Sequence, residues 1–171
     1  LWACTRRAVA WHDMIAPPDD IDRIMAVMQA AFPPEYGEAW NRRQVEDALL
    51  LGNCHYLLIS GSGEALQGAE PAAGFCLSRQ GFEEEELLLL AVHPDFRRKG
   101  IASKVLNLLF KNCISRGSTR VFLEMRRGNP AEFLYSAHGF LPIGERNRYY
   151  RTLTGERLDA ITFCKVLDKP R

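Results

Sequence analysis

The chain has 171 residues, 47% of them hydrophobic and 25% charged, with a formal net charge of +1. That length suffices for one domain with a core of its own, and the composition is that of an ordinary soluble globular protein. It contains no transmembrane stretch, and a charge so near zero gives no basis for bulk binding of nucleic acid. Five cysteines, Cys4, Cys54, Cys76, Cys113 and Cys164, are widely spaced and form no Cys-x-x-Cys pair. This speaks against a zinc site or a redox pair and for reduced thiols in the cytoplasm.

Residues 1–13 read as an N-terminal extension of unclear status, with the domain itself over 14–171. Arg6-Arg7 and the four residues after them are too few and too weakly apolar for a signal peptide. A short strand is expected to end near Ala16, where Pro17-Pro18 stops it. Asp19 or Asp20 can then cap a helix with Ile21, Ile24, Met25, Met28 and Phe32 on its apolar face, ended by Pro33-Pro34. A second helix is expected over about 38–51, a strand over 54–60, a turn at Gly61-Ser62-Gly63, a loop over 68–71 and a strand over 72–78. The four glutamates at 83–86 read as a solvated hairpin end or, more sharply, as an acidic rim for a basic substrate.

The run Leu87-Leu88-Leu89-Leu90-Ala91-Val92 is too short for a membrane span and suits a buried strand. His93-Pro94-Asp95 breaks it, and Arg97-Arg98-Lys99-Gly100-Ile101-Ala102 leads into a helix with Ile101, Val105, Leu108, Leu109 and Ile114 on one face. A first helical turn presents unpaired N–H groups and the positive end of the helix dipole. Gly100 and Ala102 let a ligand approach that backbone closely, so the loop suits a phosphate or pyrophosphate. Then follow a strand at 121–125, a short helix through Ala131, Phe133, Leu134 and Tyr135 stopped at Gly139-Phe140, and final strands near 140–144 and 159–166. The order is mixed α/β: antiparallel hairpins first, then a strand–helix–strand crossover that makes the Leu87 and Val121 strands parallel.

Arg97-x-x-Gly100-x-Ala102 resembles the Arg/Gln-x-x-Gly-x-Gly/Ala signature with which the GNAT superfamily of N-acetyltransferases grips the pyrophosphate of acetyl-CoA. Asn129 with Leu134-Tyr135-Ser136-Ala137-His138-Gly139-Phe140 resembles that superfamily's Asn-x-x-Ala-x-x-Leu-Tyr-x-x-x-Gly-Phe element, one residue shorter between Asn129 and Tyr135. The stretches 146–150 and 155–160 resemble the closing hairpin of the protein N-terminal acetyltransferases, most closely the bacterial ribosomal-protein alanine acetyltransferases (RimI-like). The segment 31–40 is similar to that branch's loop between its first two helices. The resemblance covers roughly residues 15–167. It implies a single-domain GNAT fold for 14–171, with a mixed central sheet, flanking helices and a parallel strand pair that splays apart to hold the pantetheine arm.

It also implies roles. Leu90, Ala91 and Val92 would act through their main chain on the thioester carbonyl, and Arg98, Lys99, Gly100, Ile101, Ala102 and Ser103 would hold the pyrophosphate. Arg97 would neutralise charge nearby or stand as an exposed cation. Asn129 would contact the pantetheine, or Gly128 if the missing residue lies before it. Glu35, Tyr149 and Tyr150 would hold the substrate, or the tyrosines would pack a hairpin end.

Acetyl transfer to an amine needs a neutral amine, a stabilised oxyanion and a proton for the leaving thiolate. Glu124, within an apolar strand, is the candidate base, since a buried carboxylate tends towards a raised pKa. Alternatively it points outward or pairs with Arg126. Tyr135 is the candidate acid, or an aromatic on an apolar helix face. No cysteine nucleophile and no metal are required.

The resemblance implies acetyl-CoA as cosubstrate and a cytoplasmic monomer or weak dimer. Its partner would be a protein with a free N-terminus, of which the N-terminal alanine of a small-subunit ribosomal protein is the analogy; neither nucleic acid nor membrane is implied as a direct partner. A small-molecule or lysine acetyltransferase and a non-catalytic acyl-CoA-binding module stand as alternatives.

Overall fold

The computed structural model describes residues 18–168. The strand expected near Ala16 and the extension 1–13 lie outside them. Helix α1 spans Pro18–Ala31. It starts at the proline, whose missing N–H costs nothing in a first turn, so Asp19 and Asp20 sit inside the helix rather than capping it. Asp20 instead accepts from the Tyr56 hydroxyl and pairs with Arg23. A 3-10 turn follows at Pro34–Tyr36, closed by Gly37 in the left-handed region at φ 61°. Helix α2 is Arg42–Leu50 and begins later than expected. Asn41 and Gln44 form a reciprocal capping box that fixes its start, leaving residues 38–40 in a loop.

Six strands follow: β1 Cys54–Ile59, β2 Gly74–Gln80, β3 Glu84–Val92, β4 Arg120–Arg126, β5 Leu141–Arg151 and β6 Arg157–Val166. Helix α3, Ile101–Ser115, links β3 to β4, and the short α4, Glu132–Ala137, links β4 to β5. They form one sheet in the order β1-β2-β3-β4-β6-β5, antiparallel except for the β3–β4 pair. Helices α1 and α2 pack on one face through Ile24, Met28, Val45 and Leu49. On the other face α3 buries Ile101, Val105, Leu106, Leu109 and Cys113, and α4 buries Tyr135. Leu108 and Ile114, expected in the α3 stripe, are only partly buried.

The acidic run 83–86 does stand at a hairpin end, where β2 turns into β3 and Glu83 is exposed, but the run is not solvated throughout. Glu84 to Glu86 open β3, and Glu85 is fully buried. Strand β5 is also longer than expected, because a wide bulge lets it carry on past Gly144.

Strand β3 changes partners and phase halfway along its length. Its ladder with β4 covers only Glu84 to Leu87, opposite Arg120 to Leu123. Beyond that point β3 stays bonded to β2 and β4 to β6, so the parallel pair opens into a V. At the same place Leu77 pairs with Leu89 and Ser78 with Leu87, leaving Leu88 bulged. The bulge switches the phase of the strand. Leu87 faces α3, Leu89 and Ala91 face α1 and α2, and Leu90 and Val92 return to the α3 side.

Candidate active site

In the mouth of the V, backbone groups of β3 beyond Leu87 and of β4 beyond Leu123 have no partner in each other. Buried main-chain donors and acceptors need partners, so this gap is chemically fitted to an extended, amide-bearing ligand. The candidate main-chain contacts Leu90, Ala91 and Val92 line the β3 side of it.

The gap leads to the α3 N-terminus. Arg98 and Gly100 both take the left-handed backbone, at φ 60° and 74°. The first amide of α3 to bond back along the helix is that of Lys104, to the Gly100 carbonyl 3.1 Å away. The amides of Ile101, Ala102 and Ser103 therefore face outward as an anion cradle. A Cβ added at Gly100 would meet nothing within 4 Å, so the approach to this cradle is open. Arg98 and Lys99 are exposed beside it, Lys99 lying 5.3 Å from the Phe96 ring centroid. Arg97 turns away and donates to the Ala31 carbonyl at the end of α1, 3.1 Å distant. The Asn129 side chain accepts from the Ala131 amide and shapes the turn into α4.

Tyr135 stands on α4 with its ring edge-on to Phe140 and only 8% of the residue exposed. Burial, with the negative charge of Glu38 nearby, pushes its pKa above the usual tyrosine value. This phenol keeps its proton across the neutral range.

Glu124 follows the alternation of β4, which sends Val121, Leu123 and Met125 into the α3-side core. Its own side chain therefore lies on the opposite face, rather than among those apolar residues. There it pairs with Arg146 of β5 at 3.2 Å and accepts from the Thr162 hydroxyl at 3.4 Å. Arg126 does not pair with it.

The β5–β6 hairpin brings Tyr149 and Tyr150 to this end of the sheet. Arg146 pairs with Ala160 and Tyr150 with Leu158, so three β5 residues bulge opposite Asp159. Asp159 accepts from the Arg148 amide and from Arg127, which holds the bulge and keeps the Asp159 pKa below its usual value. The two tyrosine rings meet edge-on, their centroids 5.3 Å apart, yet they differ in exposure. Tyr149 is exposed, with Arg146 over its ring, whereas Tyr150 is half-buried. Burial and the charges of Glu124 and Glu38 push the Tyr150 pKa up to about 12. The Glu35 side chain is exposed, and its carbonyl accepts from the Leu153 amide in the β5–β6 turn. That bond ties the loop between α1 and α2 to the hairpin across the site.

The structure adds a residue that the sequence did not single out. Glu38, expected in the second helix, lies in the loop before it and pairs with Arg126 at 3.2 Å. The Arg126 guanidinium lies over Tyr36, 3.5 Å from the ring centroid. Burial raises the Glu38 pKa more than Arg126 lowers it. No local pattern signals this contact, since it joins a loop to a distant strand.

Residues 21–140 match the family model described as the acetyltransferase (GNAT) family. The chain is 35% identical over 94 residues to the [ribosomal protein bS18]-alanine N-acetyltransferase of Haemophilus ducreyi, a match spanning 54% of this chain and 65% of that protein. The chain thus matches less than two thirds of that curated relative's length. The crystal structure of the ribosomal-protein-S18-alanine N-acetyltransferase from Escherichia coli superimposes with a TM-score of 0.73 at 24% identity, covering 91% of this chain and 93% of that one. The NatC complex bound to Gag peptide and CoA superimposes with a TM-score of 0.69 at 18% identity, over 89% of this chain and 97% of that one. These two share the fold. With a V-shaped gap between parallel strands, an open amide cradle at α3 and a family match across both, the chain belongs to the acetyltransferase (GNAT) family.

Proposed function

We propose that this protein transfers the acetyl group of acetyl-CoA to the N-terminal α-amine of a protein, the N-terminal alanine of a small-subunit ribosomal protein being the substrate its relatives suggest. The observation that carries the reading is the continuity of the site. The outward amides after Gly100 follow β3, whose edge is left unpaired where it parts from β4, and this supports an acyl-CoA site with Tyr135 and Glu124 as its candidate acid and base. The name of the Haemophilus ducreyi relative supports the choice of amine.

The cradle amides of 101–103, with Arg98 and Lys99, would hold the pyrophosphate, and the β3 edge would hold the pantetheine arm. Acetyl-CoA supplies an activated thioester. The acceptor nitrogen bonds to its carbonyl carbon and the carbon–sulfur bond breaks. Main-chain N–H groups at 90–92 meet the charge that develops on the carbonyl oxygen. Glu124 takes the amine proton through a water, and Tyr135 donates its proton to the departing sulfur. An α-amine has a pKa of about 8 and a lysine one of about 10.4, a difference of about 3 kcal/mol in deprotonation, so a carboxylate base favours the α-amine. Tyr150 flanks the amine and Arg146 orients Glu124. Reduced thiols fit a cytoplasmic protein, and among the described residues no helix is long and apolar enough to cross a membrane.

The test is incubation with acetyl-CoA and a peptide beginning with free alanine, alongside the same peptide with a blocked N-terminus and an internal lysine, read by mass spectrometry. Acetylation of the first alone is expected. Equal labelling of both would overturn the α-amine assignment, and labelling of neither would overturn catalysis on peptides.

A further inference from the structure

Two carboxylates approach the open end of the β3–β4 gap. Glu124 comes from β4, and Glu38 comes from the loop that Gly37 turns inward. They are not equally satisfied. Glu124 has a hydroxyl donor and a guanidinium. Among the described residues Glu38 has one cationic partner, Arg126. The Arg126 Nε is buried without a hydrogen-bond partner although the Glu38 Oε1 is 3.2 Å away. The guanidinium lies over the Tyr36 ring. An ionised carboxylate has about four acceptor sites, so Glu38 keeps unused capacity in a place water reaches little. Its side chain is only 17% exposed.

Its partner Arg126 lies two residues from Glu124 on β4, which puts both on the same face of that strand, and the charge of Glu38 also acts on Tyr135 and Tyr150. Through Arg126, Glu38 is thus tied to the stretch of β4 that carries the candidate base. What this constellation lacks is a compact donor of several N–H groups. A protonated α-amine is such a donor, whereas an N-acetylated terminus has a single N–H and no charge.

The geometry points to Glu38 as the specificity-determining residue that receives the positive charge of the acceptor amine, presenting it to Glu124 for deprotonation. This rests on the N-acetyltransferase reading. It assigns recognition of the amine charge in the 35–38 segment to Glu38.

The test uses the full chain loaded with CoA, and titrates it calorimetrically with an alanine-initiated hexapeptide and with its N-acetylated form. At about pH 6.5, where an α-amine of pKa about 8 is charged, Glu38→Gln should weaken binding of the free peptide by about tenfold or more. Affinity for the acetylated peptide and for acetyl-CoA should be unchanged, and Glu38→Asp should keep part of the preference. The penalty should fade above about pH 9, where the amine is neutral. In turnover it should appear in KM, whereas a Glu124→Gln penalty should appear in kcat. Equal binding of the two peptides by the parent protein, or equal losses for both in Glu38→Gln, would overturn the inference. If the parent protein acetylates no peptide yet binds the free one in a Glu38-dependent way, the transferase reading fails and the recognition role stands.

Discussion

At each end of the β3–β4 pair a carboxylate stands against an arginine, fully buried at one end and partly buried at the other, and the two pairs behave oppositely. At the closed end Glu85 is fully buried, yet it accepts from the Ser78 hydroxyl and from two nitrogens of Arg116 at the end of α3. Burial alone would raise its pKa, but these donors, with the Cys113 thiol and the Arg116 charge, hold it below the ordinary value. At the open end Glu38 has only Arg126 among the described residues, and burial prevails. The number and geometry of donors, not burial itself, decides which carboxylate is a structural anion and which keeps capacity for a ligand. The closed end spends its polar groups on tying α3 to the sheet. On the function proposed above, the open end leaves them for substrate.

The sharpest way to test that contrast is to damage each end and look for effects that do not cross over. At the open end Tyr135→Phe should lower turnover about 10²–10⁴-fold at saturating substrate while acetyl-CoA affinity changes little. Steady-state kinetics beside calorimetry would show this, and full turnover with chemistry rate-limiting would remove Tyr135 as the acid.

At the closed end Arg116→Ala strands the Glu85 charge and should cost about 3–5 kcal/mol of stability, read by urea unfolding at pH 7. Because the folded Glu85 pKa is lowered, its contribution exists above the unfolded carboxylate pKa and is lost as pH falls through the folded value. The stability difference between the parent protein and Glu85→Gln should therefore shrink as the solution is taken below about pH 4. A constant difference down to that range would mean Glu85 does not act as a paired anion.

Between these lies the cradle. Gly100 sits at φ 74°, so Gly100→Val adds about 1–3 kcal/mol of backbone strain at the loop and sets a branched side chain over the amides. Acetyl-CoA affinity should fall about tenfold or more, with stability affected less; unchanged affinity in a folded variant would sink the cradle assignment.

The smallest effect belongs to Glu38. Replacing it with Gln should cost less stability than Arg116→Ala, because the carboxamide oxygen still faces Arg126 and the guanidinium keeps its place over the Tyr36 ring. A loss like that of Arg116→Ala would show the two ends to be alike after all.

Much of this molecule is written locally. Apolar spacing, Pro33-Pro34, the Gly100 loop and the Gly139-Phe140 stop place α1, α3, α4 and most strands, because helix and strand periods and turn residues act over a few positions. The parallel crossover follows from strand–helix–strand order, and the anion cradle from small and basic residues opening a helix. Other features needed the assembled sheet. Four consecutive leucines carry no sign of where β3 bulges, since either phase buries a leucine, so only pairing with β2 sets the switch at Leu88. The run 83–86 looks solvated until β2 and α3 bring Ser78 and Arg116 to Glu85. Glu124 could have faced either side of β4, and the register with β6 and β5 turns it towards Thr162 and Arg146. Glu38 meets Arg126 only because a loop after α1 folds across the end of β4. The sequence determines elements because their rules are short-ranged, and the tertiary structure decides which carboxylates are satisfied because their donors come from distant strands.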